Sequence, residues 1–284
     1  MSHHLVRVDD VHFEYPDRTK ALRGVTFELR HGESVGIVGA NGAGKSTLLL
    51  HLCGVLFPTS GKIRVGDWPV APGTLSQVRR TVGFVFQDPD DQLFMPTVAD
   101  DVAFGPVNLG FPPDEVEASV SRALERVGGQ ALAPRPPYRL SGGEKRAVAI
   151  AGVLAMSPDV LVMDEPSSGL DPAARRQLIG LLRSFEHTKI VATHDLDLVL
   201  DVCARTIVLR EGQVARDGPT DAVFADEALL ASCHLERPLR LQGCPRCGGP
   251  RPGLPSSGAG LGRAPPHRHE PEDPGEPEEE EQGE

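Results

Sequence analysis

Short runs of consecutive apolar residues recur along the chain, and helix-period stretches stand between them. Residues 35–38 (Val-Gly-Ile-Val), 160–163 (Val-Leu-Val-Met) and 190–192 (Ile-Val-Ala) are brief and mostly β-branched or aliphatic, so they predict strands buried on both faces. Each is followed by polar or glycine-rich residues and then by a helical pattern. That alternation predicts an α/β fold with a parallel-sheet core and crossover helices, in which ligands collect at the carboxyl ends of the strands. The stretch 114–127 departs from it: Val116, Val120, Leu124 and Val127 fall on one helical face, and Gly128 and Gly129 follow as a stop. It reads as part of an inserted α-helical subdomain at about 89–156.

Composition changes sharply near Leu235. Proline and glycine make up 19 of the 49 residues from Glu236 onward against 38 of the 235 before it, so 1–235 is expected to be the folded domain and 236–284 a disordered tail. The formal charge of −11 is concentrated the same way: residues 270–284 hold nine carboxylates and no base, which leaves the rest at −2. A nearly neutral body argues against nucleic acid as a partner, because phosphate neutralisation requires a cationic surplus. The opening residues lack the basic-then-apolar layout of a signal peptide, and no apolar run approaches the roughly 18 to 20 residues of a membrane span. The expected place is therefore the cytosol, with any membrane role supplied by a partner. Cys53, Cys203, Cys233, Cys244 and Cys247 are an odd set at irregular spacing, which reads as free thiols or metal ligands and not as a disulfide framework. Cys244 and Cys247 with His267 and His269 offer four ligands, but their spacing fits no usual zinc pattern, and a disordered tail is the preferred reading.

Candidate chemistry begins at Gly39-Ala40-Asn41-Gly42-Ala43-Gly44-Lys45-Ser46, which matches Gly-x-x-x-x-Gly-Lys-Ser directly after one predicted strand and before a helical run at 47–52 that opens on Thr47. Glycines there let the backbone wrap a polyphosphate and turn its N–H groups inward, and the following helix adds the positive end of its dipole. Lys45 is expected to reach the terminal phosphates and Ser46 to ligate Mg²⁺. The strand at 160–163 ends in Asp164 and Glu165. In a phosphate-loop fold the first acid helps to hold Mg²⁺ and the second faces the attacking water as general base.

Leu140-Ser141-Gly142-Gly143-Glu144 has the form of a helix capping box, with Ser141 as cap and Glu144 three residues on. Two glycines in a helical first turn cost roughly 1 kcal/mol each relative to alanine, which makes sense if a phosphate must approach the backbone. With this segment the chain resembles the nucleotide-binding subunits of ATP-binding-cassette (ABC) transporters, whose signature motif it matches, over about residues 5–225. The resemblance implies a P-loop NTPase fold with an N-terminal antiparallel β portion, ATP and Mg²⁺ as ligands, and ATP hydrolysis. It implies further that Gln87 senses Mg²⁺ or water and links to the membrane partner, that His194 contacts the γ-phosphate, that Tyr15 stacks on adenine, and that the loop from Ser168 to Asp171 communicates across a dimer. Residues 85–94 and 143–152 are similar to the ATPases of energy-coupling-factor importers, including the cobalt and nickel branch.

Only one phosphate loop and one signature motif are present. If ATP is clamped between the loop of one subunit and the signature of another, as the resemblance implies, the working unit is a dimer. It could be a homodimer or a heterodimer with a sister ATPase, at the cytoplasmic face of transmembrane transporter subunits. The alternatives are the ATPase of another ABC importer or exporter, or a soluble, non-transport cassette ATPase.

Overall fold

The computed structural model describes residues 4–242. The chain opens on an antiparallel hairpin, β1 (His4–Glu14) and β2 (Lys20–Arg30), and continues through β3 (Ser34–Val38), helix α1 (Lys45–Leu52), β4 (Ser60–Val65) and the two-residue β5 (Trp68–Pro69). Helix α2 (Leu75–Thr81) leads to β6 (Val82–Val85). Three helices follow, α3 (Val98–Asn108), α4 (Pro113–Arg126) and α5 (Gly142–Leu154). The chain then alternates through β7 (Val160–Asp164), α6 (Pro172–Ser184), β8 (Thr188–Ala192), α7 (Leu196–Val202) and β9 (Arg205–Arg210), and closes on β10 (Gln213–Pro219), α8 (Thr220–Ala225) and α9 (Glu227–Ser232).

Two sheets result. One is antiparallel with order β2-β1-β4-β5; the other has order β10-β9-β3-β8-β7-β6 and is parallel except at its β9–β10 edge. Residues of β3, β7 and β8 are almost all buried, as their apolar runs require for strands covered on both faces. Helix α1 has little amphipathic character because it is surrounded. Leu48, Leu49 and Leu52 sit fully buried in a core that joins Val8, Val25 and Leu29 of the antiparallel sheet to Ile37, Val162, Ile190 and Ile207 of the parallel one. This is the α/β architecture that the strand and helix alternation predicts, with the N-terminal antiparallel β portion that the resemblance implies.

The strand predictions hold within one or two residues, and the helix expected over 114–127 is α4. It begins at Pro113, a good first helical residue, and ends at Arg126, with Val127 as its cap. Its most buried residues are Ser119, Ala123 and Leu124, while Val116 and Val120 are half-buried; the small side chains let α4 lie close to its neighbours. Among the described residues no helix is long and apolar enough to cross a membrane. Cys53, Cys203 and Cys233 are buried free thiols, and burial pushes Cys53 up to about 11 and Cys203 to about 12, so neither is a reactive thiolate. Cys244, Cys247, His267 and His269 lie outside the described residues.

Candidate active site

Four of the five parallel strands of the larger sheet lead at their carboxyl edge into candidate site residues. There β3 runs into the phosphate loop, β6 into Phe86 and Gln87, β7 into Glu165, and β8 into Thr193 and His194. The loop's path depends on missing side chains. A Cβ on Gly39 would stand 2.3 Å from the carbonyl oxygen of Leu209, and Gly44, left-handed at φ 102°, would bring one within 2.6 Å of Ala21 O. Helix α1 starts at the next residue, and the N–H groups of its first turn have no intrahelical acceptor.

A cavity of about 660 Å³ at this edge is lined by Tyr15, Gly39, Asn41, Gly42, Gly44, Lys45, Ser46, Thr47, Gln87, Glu165 and His194, which places most of the sequence-predicted residues together. Lys45 is 7% exposed, and its Nζ donates to Gly39 O at 2.8 Å and to Ala40 O at 3.3 Å, so the loop's own carbonyls aim the ammonium. Tyr15 lines the cavity with its hydroxyl against Thr47 Oγ1 at 3.0 Å; the neighbouring Phe13 packs edge-to-face on Tyr15 and on His51. Ala43 is not at the cavity wall: it is buried, and its N–H closes a turn onto Ala40 O.

Asp164 lies behind Ser46, also off the cavity wall, with its Oδ1 buried and without a hydrogen-bond partner. Burial pushes its carboxyl above the usual aspartate range, the nearby Glu165 adds to that, and Ser46 and Lys45 oppose it. Glu165 adopts a left-handed backbone (φ 45°) that non-glycine residues rarely take. It is held there from β8: Thr193 Oγ1 donates to Oε2 at 2.8 Å, the His194 N–H reaches Oε1 at 3.1 Å, and His194 Nδ1 lies 2.8 Å from Oε2. The His194 side chain is 68% exposed at the cavity's mouth.

The signature residues stand apart. Ser141, Gly142, Gly143 and Glu144 form the first turn of α5 with the full capping box: Glu144 N–H donates to Ser141 Oγ at 3.3 Å, and Ser141 N–H to Glu144 Oε2 at 2.8 Å. Those hydrogen bonds hold the Glu144 carboxyl below its ordinary range. Asp171 caps α6 by accepting from Ala174 and Ala173, which lowers its carboxyl likewise. Neither group lines the cavity.

Three side chains escaped the sequence reading. Arg146 of α5 is 4% exposed and donates to the carbonyls of both Phe86 and Gln87, at 2.7 Å for Phe86; burial lowers its pKa. A lone arginine among Val148, Ala149 and Ile150 was the available signal. Arg175 forks onto Asp195 at 2.9 and 3.0 Å, and Asp195 also accepts from Ser167 Oγ at 3.2 Å, so the loop after β7 is tied to the loop after β8. Burial favours the neutral acid at Asp195, yet the Arg175 bonds and the Leu198 N–H prevail and hold it below its ordinary range. Nothing in the local pattern marks that pair.

The family model described as ABC transporter matches residues 22–168, more than half the chain. A Geobacter sulfurreducens protein assigned by inference as an ABC transporter ATP-binding protein is 68% identical over 248 residues, 87% of this chain and 100% of that protein. The energy-coupling factor transporter ATP-binding protein EcfA of Methanocaldococcus jannaschii is 45% identical over 83% of this chain and 86% of its own length. Among solved structures, CbiO1 of Clostridium perfringens, described as part of the ABC transporter complex CbiONQ, superposes with a TM-score of 0.73 at 40% identity, covering 87% of this chain and 98% of that one. A dimeric post-hydrolysis cassette bound to ADP and Pi, MJ0796, superposes with a TM-score of 0.69 at 27% identity over 76% of this chain and 98% of that one. With a phosphate loop, an acidic strand end and a capped signature helix on the cassette fold, the chain belongs to the ABC transporter family as an ATP-binding subunit of its ATPase class.

Proposed function

We propose that the chain is the ATP-hydrolysing subunit of an energy-coupling-factor importer, with cobalt or nickel ions as the cargo moved by its membrane partners. The observation that carries the hydrolytic part is the contact of Glu165 with His194 at 2.8 Å in the cavity that also holds the phosphate loop. The polyphosphate lies along 39–46, Lys45 meets its terminal phosphates, and Tyr15 stacks on the base. Glu165 takes a proton from a water that attacks the γ-phosphorus as the bond to the bridging oxygen breaks, giving ADP and phosphate, while His194 and Gln87 orient that water. Mg²⁺ fits here. The buried, unpartnered Oδ1 of Asp164 beside Ser46, with Gln87 near the same edge, is an oxygen donor set that a hard cation takes, and the ion when bound neutralises phosphate charge.

Because Ser141, Gly142, Gly143, Glu144 and Asp171 stand off the cavity, they serve a second copy's nucleotide, and two cassettes bind two ATPs head to tail. The dimeric relative with ADP and Pi supports this reading. A cleft of about 950 Å³ beside Gln92, lined by Val55, Phe84, Phe86, Phe94, Phe104 and Met156, supports attachment to a membrane protein at the cytoplasmic face. The name of EcfA supports the energy-coupling-factor class and that of the CbiONQ component supports a transporter complex, while the cobalt or nickel cargo rests on the similarity of residues 85–94 and 143–152 to that branch. Replacing Glu165→Gln should preserve ATP binding and trap the dimer while lowering turnover by about 10² to 10⁴. Near-normal turnover in that variant would falsify the assignment. Copurification of the chain with a multi-span protein from detergent-solubilised membranes tests the transport role.

A further inference from the structure

At the amino edge of the parallel sheet, opposite to the edge that carries the phosphate loop, His31, Asp159 and His187 converge. One ligand atom from each lies within 4.8 Å of the other two, and all three side chains are exposed. Sheet register brings them together. Asp159 immediately precedes β7 and His187 immediately precedes β8, and these strands pair in parallel from Val160 and Thr188 onward. On the other side of β8 lies β3, with Ser34 opposite Lys189, and His31 sits in the turn that feeds β3.

That turn is pinned to the start of β8. Gly32 N–H donates to Thr188 Oγ1 at 2.9 Å, the Thr188 hydroxyl donates to Arg30 O at 3.2 Å, and Lys189 N–H donates to Glu33 O at 3.0 Å. The two imidazoles stand edge-to-face with centroids 5.8 Å apart, and His187 also rests against the Phe185 ring at 5.6 Å. The backbones under both histidines are thus fixed, and only exposed side-chain torsions remain free. Ligand atoms in tetrahedral coordination with bonds of about 2.0 to 2.1 Å are about 3.3 Å apart. Small rotations of three exposed side chains cover the difference from 4.8 Å.

We infer that His31, Asp159 and His187 form a surface site for a divalent transition-metal ion, with two imidazoles and one carboxylate as ligands and water completing the shell. Two nitrogen donors select the zinc, cobalt and nickel class over magnesium and calcium, which take all-oxygen sets. A bound ion ties the turn before β3 to the first residues of β7 and β8, bracing the amino ends of three strands whose carboxyl ends carry the candidate active site. The inference is independent of the proposed transport role.

Calorimetric titration of the full chain with Zn²⁺, without nucleotide, tests it. The double variant His31→Ala/His187→Ala should bind one equivalent fewer than the parent and lose a Zn²⁺-dependent rise in Tm, while its melting and its Mg-ATP turnover without Zn²⁺ stay at the parent's level. Asp159→Asn, the milder change, should weaken the same equivalent by about ten-fold or more, given that losing even an outer-shell partner costs about 10- to 100-fold. Cys244→Ser/Cys247→Ser should leave that equivalent intact. Unchanged stoichiometry and affinity in the double variant, or loss of the equivalent in the cysteine variant alone, would overturn the site.

Discussion

Replacing Asp164→Asn should stabilise the nucleotide-free chain. The carboxyl is 6% exposed, its Oδ1 has no partner, and burial is the largest influence raising its pKa, ahead of the opposing Ser46 hydrogen bond. A folded-state pKa above the unfolded value means that the folded chain binds more protons within that window. The parent therefore loses stability as pH rises from the ordinary aspartate value, about 3.9, through the raised one, and carries a constant penalty above it. Asparagine keeps the shape and removes the charge, although its Oδ1 stays unpartnered, so only the excess cost of the buried charge is relieved, about 1 kcal/mol. For a chain of this size that moves Tm up by about 2 to 4 °C. Differential scanning fluorimetry at pH 7 and near pH 4 should show the gap at neutral pH and its closure in acid. With Mg²⁺ and ATP the order should reverse, because the parent then gains ligand stabilisation that the variant lacks. An asparagine variant that melts below the parent at pH 7 without nucleotide, or a gap indifferent to pH, would refute the reasoning.

Arg146→Met should leave the free energy of unfolding within about 2 kcal/mol of the parent's, since two charge-assisted bonds at about 1.5 to 3 kcal/mol each are lost while a costly buried guanidinium is removed. Turnover should nevertheless fall about ten-fold at nearly constant KM for ATP, because the segment carrying Gln87 loses its anchor; steady-state kinetics read the split. Arg175→Met leaves Asp195 with only Ser167 and Leu198 as partners at a half-buried position, so urea melts should show a loss of about 1 to 3 kcal/mol. Asp195 is held low in the parent, so its stabilising contribution is present above the ordinary aspartate pKa and lost as pH falls through the depressed value; the variant should show a shallower loss of stability in acid.

The parts of the fold legible in the sequence are those that local pattern dictates. Continuous apolar runs mark β3, β7 and β8 because a strand covered on both faces needs no polar alternation, and the capping box from Ser141 to Glu144 is written in four residues. The phosphate loop is legible because Gly39, Gly42, Gly44, Lys45 and Ser46 form a contiguous motif, although the close neighbours that forbid side chains at Gly39 and Gly44, Leu209 and Ala21, are visible only in the fold. What could not be read depends on pairs distant in sequence. Arg175 and Asp195 are 20 residues apart, and Arg146 lies 59 residues from Gln87, so their partnership exists only once α5 and α6 have packed. His31 and His187 meet through strand register alone, and no spacing rule connects residues from different crossovers.

Those distant pairs also bear on how a half-site can respond to its complement. Helix α5 begins with the signature residues and, within its first two turns, sends Arg146 to the Phe86 and Gln87 carbonyls and Lys145 to Asp90 at 2.6 Å. A helix moves as a rigid rod over so short a distance. On the proposed head-to-tail reading, a second copy's nucleotide that displaces this first turn should carry the Gln87 segment at this chain's own cavity with it. Further along the same segment, Gln92 donates to Ala149 O at 2.7 Å and Asp101 accepts from Phe94 and Met95, so the shift continues into the apolar cleft. Glu165 does not share in it, being fixed from β8 through Thr193 and His194. On the proposed reading, the general base Glu165 keeps its place while the Gln87 segment follows α5, so that one helix couples a second copy's nucleotide to the local water and to the apolar cleft proposed to meet the membrane partner.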